Sequence, residues 1–305
     1  LNGGGDVSLS VIEQGGQQAN WHLDGNGAGH VDGAVAVSFT GVKHLIGGGS
    51  DTLYGSTADT NWTIDGAGSG SVGAEKFQGF GKLVAAASED EVFTVTSSGV
   101  MLGGIDGGGD GTLAITGSGP LAWHLDGHGG GEVDGGAVQV AVTGIGHLSG
   151  SGADTLDGAV TDTRYTVNGA GAGFVGATTF DGFANLVGPA GENDVFNVTP
   201  TGNLAGTIDG GGAGVLNIDV GHADSVVSLL TGAHSGSDTY NGKTINYVGM
   251  LPHDTAGTVD NFSYQISDGS RSEEPRGENE CISRRSREQK LGGIDGGGDG
   301  TLAST

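Results

Sequence analysis

Short runs of β-branched and aromatic residues alternate with polar residues or glycine along most of the chain. Examples are residues 35–39 (VAVSF), 138–142 (VQVAV) and 195–198 (VFNV). Alternation with a period of two is typical of strands that bury one face. The repeats contain no stretch with the spacing of an amphipathic helix. The pattern therefore predicts an all-β fold built from many short strands.

A turn signature separates these strands: a β-branched residue or leucine, then Asp or Asn, then Gly. Asx side chains bond their own backbone and glycine accepts a positive φ, so the pair reverses a chain. The Asp or Asn of the seven copies is Asp24, Asp65, Asp106, Asp126, Asn168, Asp209 and Asp295. Up to Asp209 the intervals are nearly equal, except that the one from Asp106 to Asp126 is half as long. A second turn signal falls near the middle of each long interval.

Turn signals therefore arrive about every 20 residues, which indicates one structural unit stacked on itself. This period is shorter than that of the helical repeats, which need about 33 residues or more. We predict a parallel β-solenoid, like a β-helix or β-roll, with coils of about 20 residues.

A longer repeat groups these coils. The pentapeptide WHLDG at 21–25 returns at 123–127, and residues 291–303 repeat 102–114 letter for letter. We divide the chain into a partial repeat at 1–10, solenoid repeats at 11–113 and 114–216, a degenerate third repeat at 217–268, an atypical charged linker at 269–290 and the start of a further repeat at 291–305. The linker is distinct because it holds 6 of the 11 basic residues and the only cysteine, Cys281.

Composition and charge exclude several classes of protein. The chain has 305 residues with 67 Gly and only 5 Pro and no Gly-X-Y register, which excludes collagen. A formal charge of −25 argues against nucleic-acid binding, because phosphates would be repelled. One cysteine excludes an intrachain disulfide framework. We find no signal peptide and no membrane span, and since Leu1 opens inside a repeat we expect the chain to be part of a longer one.

Three segments follow the pattern Gly-x-Asp-Thr-Φ-x-Gly, at 49–55, 152–158 and 236–242. They resemble the nonapeptide of RTX proteins, in which Gly-rich turns and Asp bind calcium on a parallel β-roll. The resemblance implies a Ca²⁺ site at Asp51, Asp154 and Asp238. RTX sites need consecutive nonapeptides, whereas long stretches of other sequence separate these copies. A second interpretation stays open, in which the three Asp side chains cap turns by bonding their own backbone.

Longer segments of the repeats are similar to repeats in very large bacterial surface and adhesin-like proteins. The residues that carry this similarity are 206–212 (GTIDGGG), 216–219 (LNID), 226–232 (VVSLLTG) and 180–188 (FDGFANLVG). The resemblance covers residues 11–268 loosely. It implies an exported, repeat-built protein of the cell surface or extracellular matrix.

Other candidate residues also recur at repeat positions. His22 and His124 are equivalent, as are His44 and His147, but copies five coils apart would lie about 24 Å from each other and cannot share one metal. Inheritance of the repeat explains them better. A second set contains aromatic side chains that either stack on sugars, or cover coil ends and flank turns: Trp21, Trp62, Trp123 and Tyr165.

The sequence contains no Gly-x-Ser-x-Gly elbow, no His-Glu-x-x-His and no phosphate-binding loop, so we expect no enzyme. Our first hypothesis is a structural or adhesive segment of an extracellular bacterial protein that self-associates, or packs on neighbouring repeats, end to end into a filament. One alternative is a carbohydrate-binding or carbohydrate-active β-helix that contacts surface glycans. Another is a calcium-responsive secreted module.

Overall fold

The computed structural model describes residues 1–267, apart from 5, 12–15, 34–35, 59, 88, 118, 128, 136–137 and 160–161, together with the backbone of 289–291. Within these residues the regular structure is strand without helix, which confirms the all-β prediction. The rest of the predicted linker and further repeat, 269–288 and 292–305, lies outside the described residues.

The strands vary in length from 3 to 26 residues. They are β1 Ser8–Ser10, β2 Asn20–Gly25, β3 Ala28–Asp32, β4 Val37–Phe39, β5 His44–Tyr54, β6 Asn61–Gly66, β7 Ser69–Val72, β8 Glu75–Val84, β9 Val92–Thr96, β10 Val100–Thr116, β11 Ala122–Leu125, β12 Gly131–Gly135, β13 Val138–Asp157, β14 Arg164–Gly169, β15 Ala172–Val175, β16 Thr178–Val187, β17 Val195–Val198, β18 Thr207–Gly232, β19 Ser235–Tyr240, β20 Lys243–Ile266 and β21 Gln289–Leu291.

Two kinds of pairing build the sheet. Five antiparallel hairpins each continue into a third antiparallel strand, giving β2–β3–β4, β6–β7–β8, β11–β12–β13, β14–β15–β16 and β18–β19–β20. The long strands then pair in parallel, in the order β1–β5–β8–β10–β13–β16–β18–β20. The parallel ladder therefore runs without a break through the described part of the chain.

The spacing of parallel partners differs from the predicted coil. Phe93 faces Leu113, which is one predicted coil further along the chain, as expected. Leu45 instead faces Phe77, and Leu148 faces Phe180. We call the stretch of chain between two such parallel partners a step of the ladder, and both of these steps are clearly longer than one coil. The reason is that the turn signatures at Asp65 and Asn168 close the antiparallel hairpins β6–β7 and β14–β15 within these two steps. Parallel partners in the described residues are therefore not all one coil of about 20 residues apart, and the β-solenoid stays a prediction.

The hairpins and the parallel ladder together close circuits of strands. The pairings β6–β7–β8–β10–β9–β6 form one closed circuit of five strands, and β14–β15–β16–β18–β17–β14 form its counterpart in the second repeat. Many other strands lie outside these circuits. Closure leaves the alternate residues of each strand pointing into a common interior.

One continuous hydrophobic core fills this interior. Its largest side chains are aromatic, and they contact each other between strands. Trp62 stacks on Phe93 with ring centroids 5.4 Å apart, and Tyr165 stacks on Phe196 at 4.7 Å in the equivalent place. Such contacts stabilise beyond the burial of their area, by about 0.5–1.5 kcal/mol each. The period-two alternation in the sequence is thus the alternation between core and surface.

Candidate functional site

The predicted calcium ligand Asp51 lies in the core, with 1% of its surface exposed. Its Oδ1 accepts a hydrogen bond from Ala19 N at 3.0 Å. Its Oδ2 accepts from Trp21 Nε1 and from Gly48 N, both at 3.0 Å. The carboxylate therefore joins its own turn to the start of β2, which lies far earlier in the chain.

Asp154 occupies the same place in the second repeat and is fully buried. Leu121 N and Ser151 Oγ donate to its Oδ1 at 3.0 and 2.6 Å. Trp123 Nε1 and Ser151 N donate to its Oδ2 at 3.1 and 3.0 Å. Four donors match the four lone-pair positions of an ionised carboxylate. The geometry is that of a structural clamp between neighbouring steps of the ladder.

Two further buried acids, Glu91 and Asp194, lie between the predicted ones in the chain and accept backbone N–H donors. Ala86 N donates to Glu91 Oε1 at 3.1 Å, and Thr163 N donates to Asp194 Oδ1 at 2.8 Å. Burial, with repulsion from neighbouring acids, raises the pKa of Asp194 above its ordinary value although the Thr163 bond acts to lower it. The sequence did not single these two residues out, because neither lies in a Gly-x-Asp-Thr pattern.

Asp238, the third predicted ligand, is also fully buried. His253 Nε2 lies 3.0 Å from its Oδ2, and Thr255 Oγ1 donates to the same oxygen at 2.7 Å. Burial acts to raise the pKa of Asp238, but the hydrogen bond and the charge interaction with His253 outweigh it and lower that pKa overall. This acid is therefore held as an anion beside a histidine.

The structure does not bring the three predicted ligands together; each lies at its own step of the ladder. Asp51 and Asp154 use their oxygens for protein donors, from their own turns and from earlier segments of the chain, so the role seen at these positions is to satisfy buried N–H groups. The calcium role of Asp51, Asp154 and Asp238 stays a prediction.

The repeated indole and phenol side chains lie inside the molecule. Trp21, Trp62 and Tyr165 are completely buried and Trp123 is 1% exposed. They offer no flat face to solvent, so the expectation that they stack on sugars is corrected. The physical reason is the alternation: each begins a strand at an inward position.

The repeated histidines take different local partners. His44 Nε2 lies 2.8 Å from Asp6, His124 Nδ1 lies 2.9 Å from Asp157, and His147 Nε2 lies 3.3 Å from Asp181. Each pair is exposed and joins a histidine to an acid more than 30 residues away in the chain, and these three histidines share no acid.

Two groups of side chains have the composition and spacing to hold a metal ion within the described residues. One consists of His22, His30 and Asp32, and the other of His222, Asp224 and Asp260. The sequence analysis considered His22 but missed His30 and Asp32. The signal was available in the turn Gly25-Asn26-Gly27, because a hairpin centred there places residue 22 opposite residue 30.

The last step of the ladder exposes apolar side chains. Val248, Leu251, Phe262, Tyr264 and Ile266 of β20 are 39–72% exposed. From residue 260 to 266 this strand pairs with β18 on one edge, and no other described strand covers its second edge. An open edge with exposed apolar residues is a template for a further strand.

Comparison of the chain with protein families, with curated proteins and with solved structures gives no match. No helix long and apolar enough to cross a membrane occurs in the described part of the chain. The function of this chain is therefore inferred from the geometry of its fold and from the motifs of its sequence.

Proposed function

We propose that this chain is a structural or adhesive repeat segment of an extracellular bacterial protein, wound as a β-solenoid that acts as a stiff spacer. The observation that carries the proposal is the unbroken parallel ladder from β1 to β20 around one core. A chain whose successive steps contact mainly their neighbours grows in one dimension. Such a body serves to span distance and to present surfaces.

The buried clamps support a mechanical role. Asp51 and Asp154 each join two steps through an indole N–H and a backbone N–H. Separating the steps would leave those donors without acceptors in an apolar interior, which costs about 1–3 kcal/mol for each group. Resistance to separation therefore recurs along the ladder.

The exposed apolar end of β20 supports assembly end to end with a second copy. Its strand edge from residue 260 to 266, which no other described strand covers, offers backbone hydrogen bonds, while Phe262, Tyr264 and Ile266 offer apolar area. The surface location of the whole protein follows from the resemblance to bacterial surface repeats and from the acidity of the chain, which favours solubility.

Small-angle X-ray scattering and electron microscopy test both parts. The solenoid requires an elongated particle at low concentration, and a compact globule would contradict it. Assembly requires growth along the long axis as concentration rises.

A matched pair of variants tests the contact surface. Ile266→Lys is expected to suppress growth because it places a charge at the open edge. Leu102→Lys is the control, since Leu102 is 81% exposed but lies in the middle of the ladder. Equal assembly of both variants and the unmodified chain would overturn the proposed contact while leaving the spacer role standing.

A further inference from the structure

The first hairpin carries an outward-facing group of histidines. Strands β2 and β3 pair antiparallel, with His22 directly opposite His30 and Asn20 opposite Asp32. Trp21 and Val31 are buried, so the alternation of the two strands directs the neighbouring positions to the surface. Side chains directly opposite on one face of an antiparallel pair have Cβ atoms about 4.5–5.5 Å apart.

The three side chains converge at their polar ends. Asp32 Oδ2 lies 3.8 Å from His22 Nε2 and 3.7 Å from His30 Nε2. One ligand atom from each of the three lies within 4.8 Å of the others. The His22 ring is sandwiched, since it stacks on His30 at 4.7 Å and on Tyr54 of β5 at 4.5 Å. Stacking on both faces limits the motion of this ring before any ion binds.

From this arrangement we propose that His22, His30 and Asp32 form a binding site for a divalent transition-metal ion of the zinc, nickel and copper class. Two imidazoles and one carboxylate are a ligand set that these ions favour over calcium, which takes oxygen ligands. Metal–ligand bonds of about 2.0–2.2 Å in a tetrahedral site place ligand atoms roughly 3.4 Å apart, so the observed 3.8 and 3.7 Å require only small adjustments.

Three protein ligands leave at least one coordination position open to water or to an incoming donor. The side chains of His22 and Asp32 are 34% and 57% exposed, so an ion reaches the site from solvent without any opening of the core.

The second repeat provides an internal comparison. In the β11–β12 hairpin His124 again faces its partner strand, but the opposite residue is Glu132, and Asp134 lies opposite Ala122. Asp157 takes the place of Tyr54 and binds His124 Nδ1 at 2.9 Å. The second hairpin therefore keeps the frame and lacks the second imidazole and the aromatic support. Of these two hairpins, only the first carries the complete set of proposed ligands.

The test is isothermal titration of the chain with ZnCl₂, in a Cys281→Ser background that removes the only thiol. One zinc ion is expected to bind with micromolar or tighter affinity. His30→Ala should weaken zinc binding by at least about tenfold. Loss of a residue that only supports a metal ligand already lowers the affinity by about 10–100-fold, and His30 is proposed as a ligand itself. His124→Ala, the matched control in the second hairpin, should leave the affinity unchanged, and circular dichroism verifies that each variant folds.

A gain-of-site variant makes the test independent of any loss of folding. Glu132→His restores the second imidazole opposite His124, and a second zinc equivalent is the expected result. An absence of zinc binding to the unmodified chain would overturn the proposal. So would a His30→Ala variant that binds zinc as well as the parent, or a His124→Ala variant that loses it equally.

Discussion

Trp123 Nε1 donates a 3.1 Å hydrogen bond to Oδ2 of Asp154, which follows it by 31 residues. Trp21 and Asp51 form the same bond at 3.0 Å, 30 residues apart. In both cases an indole that is buried for its apolar area finds its acceptor on the next parallel strand. The pair therefore couples the hydrophobic core to the register of the ladder, and a change in one residue is felt by the other.

The first prediction concerns the acceptor of this pair. Asp154→Ala should lower the free energy of unfolding by about 3 kcal/mol or more, because buried donors left without an acceptor cost about 1–3 kcal/mol each. Urea denaturation followed by circular dichroism measures the loss. Asp181→Ala is the control: Asp181 is half exposed, bonded to His147 and Ser149, and should cost about 1 kcal/mol or less. Equal losses would contradict the clamp.

The second prediction is that replacing Asp194 raises the stability of the fold, whereas replacing Asp154 lowers it. Its raised pKa means that the native state keeps the proton to higher pH than the unfolded chain does. Its contribution to stability therefore falls as pH rises above the ordinary value of 3.8 and through the raised native pKa. Asp194→Asn keeps an acceptor for Thr163 and removes the buried charge. We expect a higher melting temperature than the parent at pH 7, and a smaller difference at pH 4.

Melting temperatures of Asp194→Asn and of the parent, measured between about pH 4 and pH 7, test this expectation. Asp154→Asn is the matched comparison, since that carboxylate accepts four hydrogen bonds and an amide cannot accept them all. It should destabilise at neutral pH. Equal changes in melting temperature for the two Asn variants would contradict the predicted difference between Asp194 and Asp154.

Asp238 and His253 predict an acid limit to stability. The lowered pKa of Asp238 contributes stability that is fully present above its ordinary value of 3.8 and is lost as pH falls through the lower native pKa. His253→Ala removes the main partner and should move the acid-unfolding midpoint to higher pH. Thr255→Val removes one hydrogen bond to the same oxygen and should produce a smaller shift. Acid titration followed by far-ultraviolet circular dichroism measures both, and an unchanged midpoint in His253→Ala would refute the coupling.

The sequence predicted the strands and the turns better than the way they pair. The signature at Asp24 closes a hairpin, whereas the same signature at Asp106 lies within the long strand β10. The signature is local, and its Asp-Gly pair is the same in the two places. Pairing depends on strands that are distant in the sequence, such as those that align Phe93 with Leu113 and Leu45 with Phe77. A period of turns could therefore not separate parallel steps from antiparallel excursions.

The same limit applies to side chains. The Gly-x-Asp-Thr pattern singled out Asp51 and Asp154 as candidate calcium ligands, but nothing local shows that their oxygens accept a hydrogen bond from an indole on an earlier strand. Glu91 and Asp194 have the same burial without the pattern. His30 became meaningful only through its cross-strand position opposite His22. Periodicity identifies which positions are inside, and the contacts between them depend on register.

A fourth prediction separates the two interpretations of the Gly-x-Asp-Thr segments. Since Asp51 and Asp154 accept three and four hydrogen bonds from protein donors, we expect the fold to persist without calcium. Addition of a calcium chelator should leave the far-ultraviolet circular dichroism spectrum and the melting temperature unchanged. A loss of β signal that added Ca²⁺ reverses would establish the calcium role of these acids and overturn the expectation.

The last prediction uses two glycines of one turn that differ in a single respect. Gly25 and Gly27 both have positive φ, at 90° and 72°. A Cβ on Gly25 would meet open space, whereas one on Gly27 would lie 2.6 Å from the carbonyl oxygen of Val42. Gly25→Ala should therefore cost only the backbone strain, about 1–2 kcal/mol.

Gly27→Ala should cost clearly more than Gly25→Ala, because the hairpin must move away from Val42 in the connection between β4 and β5. The difference between the two variants in urea denaturation isolates the packing of the first hairpin against the ladder. Equal costs would mean that the hairpin tip is free to shift. The zinc affinity of Gly25→Ala should also remain that of the parent, since its change leaves the β2–β3 register in place.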